Sequence, residues 1–323
     1  MRTFVTGGTG FIGTQVVRRL TQAGHETYCL VRPTSNTAEI EKLGVNLVTG
    51  DVTDKASIRK GIGDCDWIIN LANIYSWWEP DKQIYEKVNV EGTRNVIGCA
   101  LEAGCSKVVH VSTAYVYGRP AVSPFTEDTP VGPVRPSEYT RTKYAGDLVA
   151  WQQYEEKALP LVTIYPGAVL GVGDPKLTGR YISRFLAENV PRIAFAEAIH
   201  TYVDVRDVAE VIVAALAKEG NIGEKYLVGN YQLSTKAYNE LLSEISGVAA
   251  PSFAPNLVVM FVARMTTWMA DLTKKPPKLP PLDYIRVIRD GCRFDGSKVE
   301  KEFGIAYTPI RETLREIIEL HQA

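Results

Sequence analysis

A chain of 323 residues is long enough to bury a sizeable core, either as one large α/β unit or as a nucleotide-binding domain with a smaller lobe. Its 45% hydrophobic and 23% charged content is ordinary for a globular enzyme, and a net charge of -1 gives no reason to expect nucleic acid or an anionic membrane as partner. The five cysteines (Cys29, Cys65, Cys99, Cys105, Cys292) form no CxxC pair, which argues against a disulfide framework or a metal site and for reduced, buried thiols in a cytoplasmic protein.

The residues after Met1 run straight into Phe4-Val5-Thr6, a strand, without the charged and apolar regions of a signal peptide. A helical pattern over 11–23 follows, stopped by Gly24. Strand-like segments then fall at 26–31, 45–49, 67–71, 107–112 and 161–165, with helical stretches between most of them, notably 84–103 and 139–156. Repeated β-α-β units imply parallel strands joined by right-handed crossovers. The expected fold is therefore α/β, a Rossmann-type doubly wound parallel sheet covered on both faces. After residue 166 the rhythm breaks, and 225–228 reads as a late strand returning to the sheet. The expected division is a nucleotide-binding domain over 1–165 with a returning segment 200–230. A smaller, mostly helical substrate lobe then comprises 166–199 and 231–323. Within it, 256–270 (NLVVMFVARMTTWMA) is the most membrane-like stretch, but it is too short to span a bilayer and carries Arg264. A buried or pocket-lining helix is expected there, with a membrane contact as the lesser alternative. Residues 274–281 (KKPPKLPP) read as an extended connector. The last helix, 310–322, follows Pro309 and presents Leu314, Ile317, Ile318 and Leu320 at amphipathic spacing.

The loop Thr6-Gly7-Gly8-Thr9-Gly10-Phe11-Ile12-Gly13 joins the first strand to the first helix. Gly7 can take the tight turn, Gly10 lets backbone approach a pyrophosphate, and Gly13 lets the helix pack closely on the sheet. The helix N-terminus at Phe11 and Ile12 offers free N–H groups and a positive dipole end to phosphates.

The spacing is GxxGxxG, and TGGTGFIG resembles the extended branch of the short-chain dehydrogenase/reductases, the NAD-dependent epimerase/dehydratase superfamily. At the end of the second strand, Leu30-Val31-Arg32-Pro33-Thr34-Ser35 has no acid for ribose hydroxyls. Arg32 could instead grip a 2'-phosphate, with hydroxyls from Thr34 or Ser35, so NADP(H) is expected and NAD is the alternative.

Tyr139 and Lys143 form the only Tyr-x-x-x-Lys in the chain. At i and i+4 on a helix they share a face, where the ammonium would pull the phenol below its usual value of about 10 and make it a general acid or base. Val111-Ser112-Thr113-Ala114-Tyr115-Val116-Tyr117-Gly118 is similar to the family's S-S/T-A-x-x-V/L-Y-G run. That match implies Thr113 as the hydroxyl that holds substrate, with Ser112 as its neighbour and reserve. The resemblance further implies that Lys143 holds the nicotinamide ribose and that Asp51 and Val52 lie near the adenine. Leu71 and Ala72 would line the cofactor at a strand end, and Pro166 would lie beside the nicotinamide.

Other matches carry the resemblance over about residues 1–315: Asn89-Val90-Glu91-Gly92-Thr93, Tyr165-Pro166-Gly167, Tyr202-Val203-Asp204-Val205-Arg206-Asp207 and Arg293-Phe294-Asp295. Asn70 stands where a His is usual, and Tyr165 where an Arg is usual.

The branch contains two trades on one scaffold: carbonyl reduction, as in dihydroflavonol reductases and hydroxysteroid dehydrogenases, and nucleotide-sugar epimerisation or dehydration with tightly bound NAD. Arg32 favours the first. So does His200, which stands where sugar-nucleotide epimerases place a phosphate-gripping Arg, and so does a lobe rich in Trp77, Trp78, Phe253, Phe261 and Trp268. Most of those side chains are expected in the core. Against it, the segment YSWWEP at 75–80 is similar to a bacterial branch named as sugar epimerases in hopanoid-associated gene sets. The expectation is an NADP(H)-dependent oxidoreductase acting on an apolar ketone, aldehyde or alcohol, without metal or membrane span and as a homodimer. A non-catalytic NADP(H) sensor or scaffold is the alternative from another class.

Overall fold

The computed structural model describes residues 1–190 and 192–322. Among the described residues, ten strands form two sheets: β1 (Arg2–Thr6), β2 (Glu26–Val31), β3 (Asn46–Thr49), β4 (Trp67–Asn70), β5 (Lys107–Val111), β6 (Leu161–Pro166), β7 (Ala168–Leu170), β8 (Ile199–Asp204), β9 (Lys225–Val228) and β10 (Tyr231–Ser234). The large sheet has the order β3-β2-β1-β4-β5-β6-β9, with every pair parallel. This is the doubly wound parallel sheet expected from the alternation, and β9 joins its edge. The small sheet runs β10-β8-β7, with β7 parallel and β10 antiparallel to β8.

The central strands are apolar on both faces because helices cover both. In β1, Phe4 enters one core with Ile58, Val96 and Leu161, while Val5 enters the other with Val17, Leu20 and Val208. Helices Phe11–Gln22 and Val205–Ala217 cover that second face; Lys55–Ile62, Thr93–Ala103 and Glu138–Lys157 cover the first. A third apolar cluster joins Leu170, Phe185, Tyr202 and Tyr238 to Leu314, Ile317 and Ile318 of the last helix. Leu320 of that helix is exposed, so three of its four spaced residues are buried. All five cysteines are free and buried, and burial pushes the Cys29 thiol up to about 12.

Two differences from the sequence reading matter for the site. The stretch 84–103 is not one regular helix: Glu86–Gly92 takes π-helical bonding before Thr93–Ala103. The extra residue turns Asn89 inward, where its side chain accepts from the Ile74 N–H at 2.8 Å and donates to Thr142 Oγ1 at 2.9 Å. Gly146 completes the clasp, since a Cβ there would lie 2.4 Å from the Asn89 carbonyl. The second difference is the helix Asn256–Thr273, expected over 256–270 as a buried or pocket-lining helix. Leu257, Phe261, Trp268, Met269 and Leu272 on it are exposed. The apolar arc was visible in the sequence, but the helix docks through its smaller residues.

No helix among the described residues is long and apolar enough to cross a membrane.

Candidate active site

Parallel strands bring their following residues to one edge of the sheet, and every residue singled out for cofactor binding from Gly7 to Ala72 follows β1, β2, β3 or β4. Thr113 follows β5, and Pro166 ends β6. The edge opens between β1 and β4, where the strand order reverses.

The glycine loop fits a pyrophosphate. Gly7 has φ +73, and a Cβ on it would lie 2.8 Å from the Ala72 nitrogen, so only glycine allows β4 to close beside the loop. A Cβ on Gly13 would meet the Gly7 carbonyl at 2.1 Å. Gly10 is exposed and caps the helix Phe11–Gln22 without a side-chain hydrogen bond. The first N–H groups of that helix, around Phe11 and Ile12, therefore face the loop without a protein cap.

Arg32 directly follows β2, one strand from the loop, because Thr6 aligns with Leu30. It is exposed, and its turn is closed by its own N–H donating to Ser35 Oγ at 3.2 Å. Asp51 is turned onto its own loop, accepting from the Thr53 N–H at 2.8 Å and the Thr53 hydroxyl at 2.7 Å. Val52 is buried, and its carbonyl accepts from Asn95 at 3.0 Å. Leu71 is buried, and the Ala72 N–H donates to Thr6 Oγ1 at 3.2 Å.

Tyr139 and Lys143 lie on the helix Glu138–Lys157, started by a Ser137/Thr140 capping box, and both are buried. The Lys143 ammonium donates to the Val111 carbonyl at 2.9 Å. Its pKa falls to about 8, first because burial penalises the cation, with the Asp147 charge opposing. Tyr139 moves the opposite way from the expectation. Burial, then the Asp147 charge, lifts the phenol above its usual value, and only a hydrogen bond with Thr113 opposes the rise. In a site this dry, desolvation of the phenolate dominates, and the Lys143 ammonium one turn away does not offset it.

Thr113 and Ser112 have different partners. Ser112 donates to Asp147 Oδ2 at 2.8 Å, so its hydroxyl is committed. Thr113 caps a short turn and also lies 3.5 Å from the Pro166 carbonyl.

Behind these residues runs a buried polar chain that the sequence reading missed. Thr6, Asn70 and His110 align across β1, β4 and β5. Thr6 donates to Asn70 Oδ1 at 2.7 Å, Asn70 Nδ2 donates to His110 Nδ1 at 3.2 Å, and His110 Nε2 donates to Asp147 Oδ1 at 3.1 Å. Burial lowers His110, so the ring is neutral and carries its hydrogen on Nε2. The substitution of Asn for the family's usual His at 70 thus supplies an amide that bridges Thr6 and His110. Asp147 stands at i+4 from Lys143, and His110 shares the strand face of Ser112; those two spacings were the available signal.

Aromatic side chains wall the other side of Tyr139. Tyr75 and Trp77 each meet its ring edge-on with centroids 5.3 Å away, and Trp77 also packs on Tyr284 at 5.8 Å. The Trp77 Nε1 is buried without a hydrogen-bond partner among the described residues. Tyr115 and His200 are joined at 3.0 Å. His200 is pushed down to about 4 by burial, and its Nε2 donates to the Ile288 carbonyl. It is therefore neutral near pH 7.

Comparisons with known proteins show the family and the fold. Residues 3–229 match the model of the NAD dependent epimerase/dehydratase family. A Synechocystis sp. protein provisionally named dihydroflavonol 4-reductase is 28% identical, over 99% of this chain and 94% of its own. The UDP-glucose 4-epimerase of Mycolicibacterium smegmatis is 32% identical over 78% of this chain and 84% of its own. The crystal structure of gox2253 superposes with a TM-score of 0.84 at 31% identity, covering 99% of this chain and 97% of that one. With a parallel sheet whose strand order reverses between β1 and β4, a glycine loop at that edge and a family model spanning more than half its length, the chain belongs to the NAD dependent epimerase/dehydratase family of extended short-chain dehydrogenases/reductases.

Proposed function

We propose that the protein is an NADP(H)-dependent reductase of an apolar ketone or aldehyde, with Thr113, Tyr139 and Lys143 as its catalytic residues. The observation that carries this reading is the aromatic cluster beside Tyr139. Tyr75 and Trp77 pack on Tyr139, Tyr284 packs behind Trp77, and the position where an epimerase would place a cation holds a buried, neutral His200. Such a wall accepts a flat or cyclic apolar body better than a diphosphate.

The bound dinucleotide supplies hydride. Gly7, Gly10, Phe11, Ile12 and Gly13 would hold its pyrophosphate, and Arg32 its 2'-phosphate. Asp51 and Val52 would lie by its adenine, Leu71, Ala72 and Pro166 along its length, and Lys143 at its ribose. Thr113 donates to the carbonyl oxygen and aligns it with Tyr139. The raised phenol keeps its proton at neutral pH, which is the form reduction requires, and gives it up as negative charge builds on that oxygen. Lys143 then stabilises the phenolate left behind. Helices 84–103 and 139–156 would pair in a homodimer, and Leu148 offers a half-exposed apolar contact on the second of them.

The deciding experiment is a fluorescence titration with NADPH and NADH side by side. A preference of about tenfold or more for NADPH is expected, and Arg32→Ala should erase it by weakening NADPH alone. Preference for NADH, or protein purified with NAD that does not exchange, would move the assignment to a sugar-nucleotide epimerase or dehydratase. Tight NADPH binding without turnover on any carbonyl would favour a sensor. In the active enzyme, kcat/KM is expected to fall as pH rises through about 8, because the depressed Lys143 loses its proton there. A level profile across that range would show that the ammonium is not needed.

A further inference from the structure

The helix Asn256–Thr273 reverses the usual rule of burial. Its two buried residues are Ala263 and Ala270, while Leu257, Phe261, Met265, Trp268, Met269 and Leu272 face water. Leu257 is 84% exposed and Leu272 71%, so these are not edges of a partly covered stripe. With 3.6 residues per turn, the six fall within one arc of about 120° along the whole helix. A continuous face of this kind marks an interaction surface, because isolated exposed apolar residues do not line up.

Charge indicates what covers it. Arg264 borders the arc, and Lys274, Lys275 and Lys278 follow at its end, all exposed. Asp271 is the only acid between residues 256 and 282. It is already engaged, by Trp78 Nε1 at 2.9 Å and by Lys82 at 3.3 Å. A second copy of the chain meeting this face through a two-fold axis would bring cations to cations, with no free acid in the segment to receive them. An anionic lipid surface answers both features. The helix is too short and too interrupted to cross a bilayer, which leaves the interfacial arrangement.

We infer that the protein docks on anionic membrane surfaces through the helix Asn256–Thr273, its apolar arc entering the headgroup–acyl boundary while Lys274, Lys275 and Lys278 pair with lipid phosphates. The overall charge of -1 does not oppose this, since a basic cluster acts on a membrane within a Debye length of about 8 Å. The inference holds whichever substrate the protein takes.

Sedimentation of the full chain with vesicles tests it. Binding is expected to mixed phosphatidylcholine–phosphatidylglycerol vesicles, and to weaken about tenfold or more on phosphatidylcholine alone or in high salt. The exposed triple variant Phe261→Ser/Trp268→Ser/Leu272→Ser should remain folded by circular dichroism and stay in the supernatant. Lys274→Glu/Lys275→Glu/Lys278→Glu should lose about fivefold per lysine or more. Three results would overturn the inference: wild type unbound to either vesicle, the apolar variant binding like wild type, or a concentration-dependent dimer, without lipid binding, that the apolar variant abolishes. The last would assign the face to a second copy.

Discussion

Tyr139→Phe is expected to lower kcat for carbonyl reduction about 10³-fold while leaving the Kd for NADPH within about twofold. The substitution removes only the phenol oxygen. The ring keeps its edge contacts with Tyr75 and Trp77 at 5.3 Å, so the pocket wall and the cradle on the other side of the sheet edge stay in place. What is lost is the proton donor of the proposed reduction, which neither Thr113 nor Lys143 would replace. Thr113 holds its proton too tightly, and Lys143 is tied to the Val111 carbonyl at 2.9 Å. Stopped-flow turnover and a cofactor titration on the same preparation check both halves. Near-normal turnover would remove Tyr139 from the chemistry and with it the reading of the site. An equal fall in NADPH binding would show that the residue holds cofactor instead.

The second large effect is on stability. Asp147→Ala should destabilise the fold by about 3 kcal/mol, measured by denaturant unfolding. The carboxylate is the acceptor for both His110 Nε2 and Ser112, at 3.1 and 2.8 Å, and its loss leaves two buried donors unpaired. Asp147→Asn is the milder form, because one amide oxygen can still serve one of the two. It also gives a kinetic signature that packing alone would not. The Asp147 charge raises Lys143, so its removal should shift the alkaline limb of kcat/KM from about 8 to lower pH. An unmoved limb would confine Asp147 to a structural part. The double variant with His110→Ala should cost less than the sum of the single variants, since each removes the same bond.

The pKa of Tyr139 shows where a rule read from spacing fails. The i, i+4 pairing of Tyr139 and Lys143 is real, and it puts both on one helix face. Its electrical consequence depends on solvent access, which spacing does not report. Burial raises the phenol, with the Asp147 charge adding to the rise, and burial drops the lysine against that same charge. Ser112 and Thr113 tell a similar story. Neighbours in the extended backbone that leaves a strand point to opposite sides, so one of them had to meet the helix behind the sheet. Only the packing of Asp147 decides that it is Ser112.

The parallel sheet, the glycine loop and the strand-end placement of the candidate cofactor residues were legible in the sequence because each rests on a local property. Strands buried on both faces need runs of β-branched residues. Gly7 and Gly13 sit where a Cβ would strike backbone, and parallel strands deliver the residues at their C-terminal ends to a common edge. The exposure of the helix Asn256–Thr273, the π-turn that aims Asn89, and the Thr6–Asn70–His110–Asp147 chain were decided by tertiary structure. Periodicity identifies an apolar arc but not which arc faces the body. A polar residue buried by neighbours 37 or 40 positions away has no local signature of its partner.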